Sequence, residues 1–223
     1  MHIAVLAKVV PDYEVPAGDF ELANGRAHAR YTRMIGLYDE NAIETGVQLK
    51  DKYGAQLSII SYGSADDISV LRKAVAMGGD TLTLVKGASD DPYVIAENLK
   101  MAVEKLGVVF LPKIAGIETD GDAWKVRQMH ENGSRELKFS GKAVLSITSI
   151  PENVPRIPVV RAIFAAKKKP VEKMEGIAAA AMGVEELAVS IPKMESVCEF
   201  LPVDDMGQTA KTLLAKLREG RYL

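Results

Sequence analysis

The sequence is poor in the residues that build disulfides and metal sites. Among its 223 residues there is one cysteine, Cys198, and there are three scattered histidines. A single cysteine excludes an internal disulfide, and the scarcity of histidine argues against a structural zinc site, which needs four ligands. We therefore interpret Cys198 as an inert packing residue and expect no metal site.

Long hydrophobic runs are also missing. The longest fall well short of the roughly 20 residues that a membrane-spanning helix needs, and no charged and then apolar leader opens the chain. The net charge of -2 gives no general attraction for nucleic acid or for an anionic membrane. We expect a soluble, cytoplasmic protein with no membrane span and no nucleic-acid partner.

Catalytic motifs are absent as well. The sequence contains no G-x-S-x-G, no H-E-x-x-H and no P-loop, so no nucleophile and base can be paired from their spacing. No catalytic residue is predicted.

What the chain does contain is an alternation of strand and helix patterns. Apolar, β-branched runs at 3–10, 56–61 and 81–85 predict parallel strands, the first of them central and covered on both faces. One predicted helix opens at Asp39 as its cap and ends at Gly54. A second follows the turn at 62–67 and ends at Gly78. This βαβ order favours an α/β fold with a doubly wound parallel sheet.

The second half changes period. A helix is predicted over 92–106, an antiparallel meander of three or four short strands over 111–149, and a buried strand at 143–148 within it. A proline-rich loop follows at 151–158, then a short helix at 159–166, a strand-like segment at 186–191 and a last amphipathic helix at 204–219. That helix cannot bury its apolar stripe on itself, so it must pack on this domain or on another chain.

Several basic residues allow two interpretations each. Lys8 either emerges beside a ligand crevice or reaches solvent from a strand end. The group Arg26, His28, Arg30 and Arg33, which follows a predicted hairpin turn at 23–26, either faces phosphates or forms a solvated loop. The run 167–169 either complements a helix dipole or docks an acidic partner.

Taken together, these segments resemble the beta subunit of electron transfer flavoproteins. The matching pieces are IAVLAKVVPD, YDENAIETGVQLKDKYG, LRKAVAMGGDTLTLV, ETDGDAWKVR and NVPRIPVVRAIFAAKKKP, in the family's order over residues 1–175. The resemblance implies an adenine nucleotide alpha-hydrolase-like core with an antiparallel extension over 1–175. It implies that 176–223 form a C-terminal arm and helix that pack on a permanent alpha subunit.

The resemblance also implies a function. The heterodimer would pass electrons between dehydrogenases, acyl-CoA-type or other, and an acceptor such as a quinone oxidoreductase, using FAD shared with the alpha subunit. The chain would thus be an electron-carrier subunit and not a stand-alone enzyme. Family members also hold AMP, or a second FAD in electron-bifurcating members.

Site residues carry over by position. The nucleotide contacts would be Leu6, Gly36, Leu37, Tyr38, Asp39 and Tyr62, with Gly36 replacing the family's usual asparagine. The partner-docking loop would include Asn153, Pro155, Arg156 and Val160, where Val160 stands in place of an exposed leucine.

One departure from the family follows Gly107. Family members have a further strand, a phosphate-wrapping loop and a helix there, before the segment that matches 108–111. Either the segment is deleted, which would expose strand edges, or residues have been left out of the sequence; we expect omission.

A real deletion would favour a nucleotide-binding or scaffold protein without electron transfer. An ATP-using enzyme of this fold is disfavoured because the glycine-rich pyrophosphate loop after the first strand is absent, and residues 9–12 cannot take its place.

Overall fold

The computed structural model describes residues 1–12, 14–16, 19–24, 26–27, 32–103, 109–178, 188, 190–191, 198–201 and 203–222. The chain forms two compact units, Met1–Val189 and Ser190–Leu223. The functional division expected at residue 175 stays a prediction.

The described residues of the first unit form the following elements in chain order. They are β1 (His2–Leu6), β2 (Val9–Pro11), β3 (Leu22–Ala23), β4 (Arg26–Ala27), β5 (Arg33–Ile35), α1 (Leu37–Tyr53), β6 (Gln56–Gly63), α2 (Ile68–Met77), β7 (Thr81–Lys86), α3 (Pro92–Val103), β8 (Val109–Asp120), β9 (Ala123–His130), β10 (Gly133–Phe139), β11 (Ala143–Ile147), α4 (Val160–Lys168) and β12 (Val171–Glu175). The second unit contains α5 (Met206–Glu219).

A four-stranded parallel sheet in the order β1-β6-β7-β12 forms the centre of the first unit. The three predicted parallel strands are confirmed, and so is the α/β class. The expectation that the first strand is central is wrong, because within the described residues β1 pairs with β6 alone and lies at the edge of the sheet. The predicted run 3–10 is also two strands. The chain turns away at Lys8, where both backbone groups of that residue bind the start of α1.

The core lies between this sheet and the helices on it. Ile43 of α1, Leu57 and Ile59 of β6 and Leu71 of α2 have no exposed surface. Gly46 allows α1 to approach the sheet closely, because a Cβ there would lie 3.0 Å from side-chain carbons of Val5 and Leu57. The apolar side of α1 therefore faces the sheet.

A second sheet has the order β10-β9-β8-β11. The predicted antiparallel meander is confirmed for β8, β9 and β10, but β11 pairs with β8 in parallel. The prediction that 143–148 is buried is also wrong. Since β11 is an edge strand, its residues alternate between half-buried and exposed. On β9 the residues alternate between the two faces of the sheet, with Val126 and Gln128 buried and Arg127 exposed.

Helix boundaries differ from prediction at three places. Helix α1 begins at Leu37, two residues before the predicted cap Asp39. Helix α4 runs on to Lys168. In the second unit, α5 begins at Met206 and not at the predicted residue 204. Asp205 caps it by accepting hydrogen bonds from the backbone nitrogens of Gly207 (2.8 Å) and Gln208 (3.1 Å).

Some predictions fall on residues that the structure does not describe. They are most of the strand-like segment 186–191, His28 and Arg30 of the basic group, and the junction at Gly107. The structure covers residues 1–223 of the full 223-residue sequence. The expectation that residues had been left out after Gly107 stays a prediction. No helix in the described part of the chain has both the length and the apolar character needed to cross a lipid bilayer.

Candidate nucleotide site and docking segment

The carboxyl ends of β1 and β6 place two predicted contact residues on one edge of the sheet. Leu6 ends β1 opposite Ile60 of β6, and the backbone nitrogen of Ala7 donates to the Ile60 carbonyl over 2.9 Å. Tyr62 lies two residues further along β6. In parallel sheets this is the edge at which ligands bind.

The start of α1 is attached to the same edge. The backbone nitrogen of Gly36 donates to the carbonyl of Lys8 over 2.9 Å, two residues beyond Leu6. In return, the backbone nitrogen of Lys8 donates to Oδ2 of Asp39 over 3.1 Å. The six predicted contacts therefore lie on three segments, the end of β1, the end of β6 and the start of α1. Hydrogen bonds join these segments at this edge.

Asp39 does not cap its helix as predicted, because its carboxylate accepts from Lys8 instead. The N-cap is Gly36, which has no side chain to cap the helix, and within the described residues no side-chain cap hydrogen bond is formed there. A Cβ on Gly36 would lie 2.5 Å from Oδ2 of Asp39, so the glycine leaves room for that carboxylate. Burial raises the pKa of Asp39 above its ordinary value, although the hydrogen bond from the Lys8 nitrogen opposes this.

Apolar side chains around the start of α1 are open to contact. Leu6 is 41%, Leu37 47% and Tyr38 64% exposed. They lie beside helix amides that lack a side-chain cap. The edge therefore combines apolar surface with backbone donors, as a site for a nucleotide requires.

Tyr62 is fixed by the loop after β7. Its hydroxyl accepts a hydrogen bond from the backbone nitrogen of Ser89 over 3.1 Å. A Cβ on Gly87 would overlap the Tyr62 ring at about 2.1 to 2.2 Å, so the ring packs directly on the backbone of that loop. Sequence reasoning missed Gly87, although a glycine directly after a predicted strand is a usable signal for close approach.

Two ion pairs join α2 and the residue before it to β5 and α1. Arg33 on β5 contacts Oδ1 of Asp67 over 2.5 Å, and Lys73 pairs with the buried Glu40. The other oxygen of Asp67 accepts from the backbone nitrogen of Ser64 over 2.8 Å. Arg33 is thus part of an ion pair at the end of β6. Lys8 is exposed beside the crevice.

The predicted docking loop divides into buried and exposed residues. Asn153 is 3% exposed, and Pro155 and Arg156 are half-buried. Val154, Ile157, Val159 and Val160 are instead 65 to 93% exposed. We call residues 154–160 the docking segment.

Arg156 is bound to α1. Its Nε and Nη2 donate to the two carboxylate oxygens of Glu44 over 2.8 and 2.9 Å, and its Nη1 donates to Asp51 over 3.0 Å. Burial raises the pKa of Glu44, but the hydrogen bonds and the charge of Arg156, together with a hydrogen bond from Gln48, offset this and hold the pKa below its ordinary value. Sequence reasoning missed Glu44; a carboxylate beside the apolar side of α1 was the available signal.

The fold defines an α/β protein in which the start of a helix is hydrogen-bonded to the carboxyl edge of a parallel sheet. The family model described as "Electron transfer flavoprotein domain" matches residues 28–117. The chain belongs to the beta-subunit family of electron transfer flavoproteins, and its function is electron transport.

Three similar proteins carry the name "Electron transfer flavoprotein subunit beta". The protein from Thermoanaerobacterium thermosaccharolyticum is 30% identical over 76% of this chain and 76% of its own length. The protein from Syntrophomonas wolfei is 28% identical over 97% and 96%. The protein from Bacillus subtilis is 27% identical over 76% of both.

The alignment with the Syntrophomonas wolfei protein also bears on chain length. It spans 246 positions, more than the 223 residues of this chain, so that relative has residues that this chain lacks. A further similar protein, 24% identical over 76% of each chain, is named "Acryloyl-CoA reductase electron transfer subunit gamma" and comes from Anaerotignum propionicum.

Proposed function

We propose that this chain pairs with an electron transfer flavoprotein alpha subunit in the cytoplasm. The heterodimer passes electrons from acyl-CoA-type or other dehydrogenases to a quinone oxidoreductase or another acceptor. FAD, shared with the alpha subunit, supplies the redox chemistry when bound, while this chain binds and orients. Support comes from the names of the relatives, one of which couples electron transfer with acryloyl-CoA reductase.

We further propose that the sheet edge holds an adenine nucleotide, either AMP or a second FAD. The observation that carries this proposal is the meeting of Leu6, the start of α1 and Tyr62 at the carboxyl edge. The uncapped amides of Leu37, Tyr38 and Asp39 suit a phosphate, since they lie at the positive end of the helix dipole. The exposed Leu6 and Tyr38 side chains offer apolar contact for the adenine.

The arm and helix over 176–223 are proposed to pack on the alpha subunit. In the second unit, Leu213 and Leu214 of α5 are 48% and 41% exposed, and Met206 is 71% exposed. An apolar stripe of this kind is stabilised when another chain covers it.

One observation favours the second candidate, a nucleotide-binding or scaffold protein that does not transfer electrons. Within the described residues β1 has no partner on its outer side, and the chain is shorter than the alignment with a full-length relative. A strand missing beside β1 would leave the nucleotide site open on that side.

Coexpression with an alpha subunit tests the two candidates. An electron carrier copurifies with it as a yellow heterodimer, whereas a colourless chain that elutes alone contradicts the main proposal. Separate titrations with AMP and FAD then distinguish the ligands. AMP binding alone indicates the ordinary carrier, binding of FAD indicates the bifurcating type, and binding of neither indicates a scaffold. Leu6→Glu is the matched variant, since it places a negative charge at the crevice.

A further inference from the structure

We propose that Arg156 and Asn153 are not partner contacts but positioning residues, and that Glu44 and Asn41 of α1 hold the docking segment in its docking-competent shape through them. This inference rests on the proposed function and on the docking role that the family resemblance implies for that segment. It assigns a function to two α1 residues that nothing in the sequence pattern singled out.

All three guanidinium nitrogens of Arg156 form hydrogen bonds within the chain. Nε, Nη1 and Nη2 each donate to a carboxylate of α1, and the backbone nitrogen of Arg156 donates to Oε2 of Glu44 over 3.1 Å. The Glu44 side chain is 5% exposed, so a partner has little access to it. A bidentate pair of this kind fixes both position and orientation.

The other end of the loop is held by amides. Asn41 Nδ2 donates to the carbonyl of Asn153 over 2.9 Å, and Asn153 Nδ2 donates to the carbonyl of Thr148 over 2.8 Å. Oδ1 of Asn153 accepts from the backbone nitrogen of Ile150 over 2.9 Å. Because Asn153 is 3% exposed, its side chain stabilises the loop through these hydrogen bonds and does not face a partner.

Between and beyond these two attachments, the segment presents apolar groups to solvent. Ile157 is 93%, Val159 69% and Val160 67% exposed. The attachments to α1 hold residues 153–156, and α4 begins at Val160, so the exposed residues lie between two anchored stretches. The partner then binds a segment that is already ordered, so binding does not lose the conformational entropy of ordering it.

The same helix also forms part of the candidate nucleotide edge. Leu37, Tyr38 and Asp39 open α1, and Asn41 and Glu44 follow within the next two turns. The docking segment and the nucleotide edge are therefore attached to one helix.

The test uses the heterodimer with the alpha subunit, offered as electron acceptor to a purified acyl-CoA dehydrogenase. Glu44→Gln keeps the volume but loses the charge that Arg156 pairs with. We expect KM for the heterodimer to rise roughly tenfold, because the apparent affinity falls with the fraction of segments in the competent shape. The turnover number and the flavin content remain as in the wild type. Glu136→Gln, which removes a surface ion pair with Lys125, is the control.

A double-mutant cycle separates positioning from contact. If Arg156 acts through Glu44, then Arg156→Met and Glu44→Gln together raise KM no more than one of them alone. If Glu44→Gln leaves KM within twofold while Arg156→Met raises it, Arg156 is a partner contact and the inference is wrong. Melting temperatures of all variants show whether a loss reflects unfolding.

A measurement on the heterodimer without the dehydrogenase keeps the inference testable when the dehydrogenase does not react. Trypsin cleaves after Arg156 when its side chain is released, so cleavage of the Arg156–Ile157 bond should be at least tenfold faster in the Glu44→Gln heterodimer. Unchanged cleavage overturns the inference. Failure of the wild type to accept electrons contradicts the proposed function, but leaves this comparison to decide the positioning role.

Discussion

Asp39 Oδ2 accepts a hydrogen bond from the backbone nitrogen of Lys8 over 3.1 Å, which joins the first turn of α1 to the end of β1. The carbonyl of the same lysine accepts from Gly36 over 2.9 Å. This double attachment places the helix amides at the carboxyl edge of the sheet. The start of α1 therefore depends on one carboxylate that also lies near the proposed phosphate position.

Replacing Asp39 by asparagine is expected to raise the affinity for AMP several-fold. The amide oxygen still accepts from Lys8, while the negative charge that would repel a phosphate is lost. Isothermal titration with AMP and with adenosine measures the effect, and adenosine affinity should stay within twofold. Asp39→Ala is the companion variant, which should lower stability by about 1 kcal/mol because the hydrogen bond is lost. Equal gains for AMP and adenosine would show that the carboxylate does not face the phosphate.

Gly87→Ala should weaken nucleotide binding through Tyr62. The added methyl group overlaps the Tyr62 ring, so the ring must leave its position and lose the hydrogen bond from Ser89. We expect about a tenfold loss of AMP affinity, which corresponds to about 1.4 kcal/mol. Gly121→Ala on the β8–β9 turn is the control, since a Cβ there meets nothing within 4 Å, although its φ of 63° makes the turn itself less stable. AMP affinity that is unchanged in Gly87→Ala would remove Tyr62 from the site.

Truncating an exposed apolar residue of the docking segment should change KM, whereas truncating a buried apolar residue should change stability. Val160→Ser removes a side chain that is 67% exposed, so stability should change by less than about 0.5 kcal/mol while KM for the dehydrogenase pair rises. Leu71→Ala empties a fully buried position of α2 and should cost about 2 to 5 kcal/mol. Urea unfolding and dehydrogenase kinetics on both variants check this. A Val160→Ser variant with unchanged KM would place docking elsewhere.

The contribution of the Glu44 and Arg156 pair should depend on pH. The pKa of Glu44 in the folded chain is lower than its ordinary value of 4.5, so the stabilisation is present above about 4.5 and is lost as pH falls through the lower, folded pKa. The unfolding free energies of wild type and Glu44→Gln should differ by roughly 1 to 3 kcal/mol at pH 7. They should approach each other as the pH falls through the folded pKa of Glu44. A difference that stays constant over the whole acid range in which the protein remains folded would mean that the charge of Glu44 is not what stabilises.

Much of the first unit could be predicted because its elements are locally encoded. Strands β6 and β7 are β-branched runs between helices that end at Gly54 and Gly78, and the structure confirms them. The resemblance also identified the segments that meet at the sheet edge. Residues within a few positions of a strand end are placed by the strand itself.

What could not be predicted depends on contacts between distant segments. Asp39 looked like a helix cap, since nothing local shows that Lys8 competes for its carboxylate. The parallel pairing of β11 with β8 and the edge position of β1 depend on which strands are neighbours, and a single sequence does not contain that information. Arg156 looked like a docking contact because its partner Glu44 lies 112 residues away.

The direct test of the central claim is a count of adenine nucleotides in the purified heterodimer with its alpha subunit. Acid denaturation followed by chromatography releases and quantifies FAD and AMP together. We predict two bound nucleotides per heterodimer, one of them an FAD and the other an AMP or a second FAD, with one lost in Leu6→Glu. A heterodimer that releases one FAD and nothing else would contradict a nucleotide site at this edge.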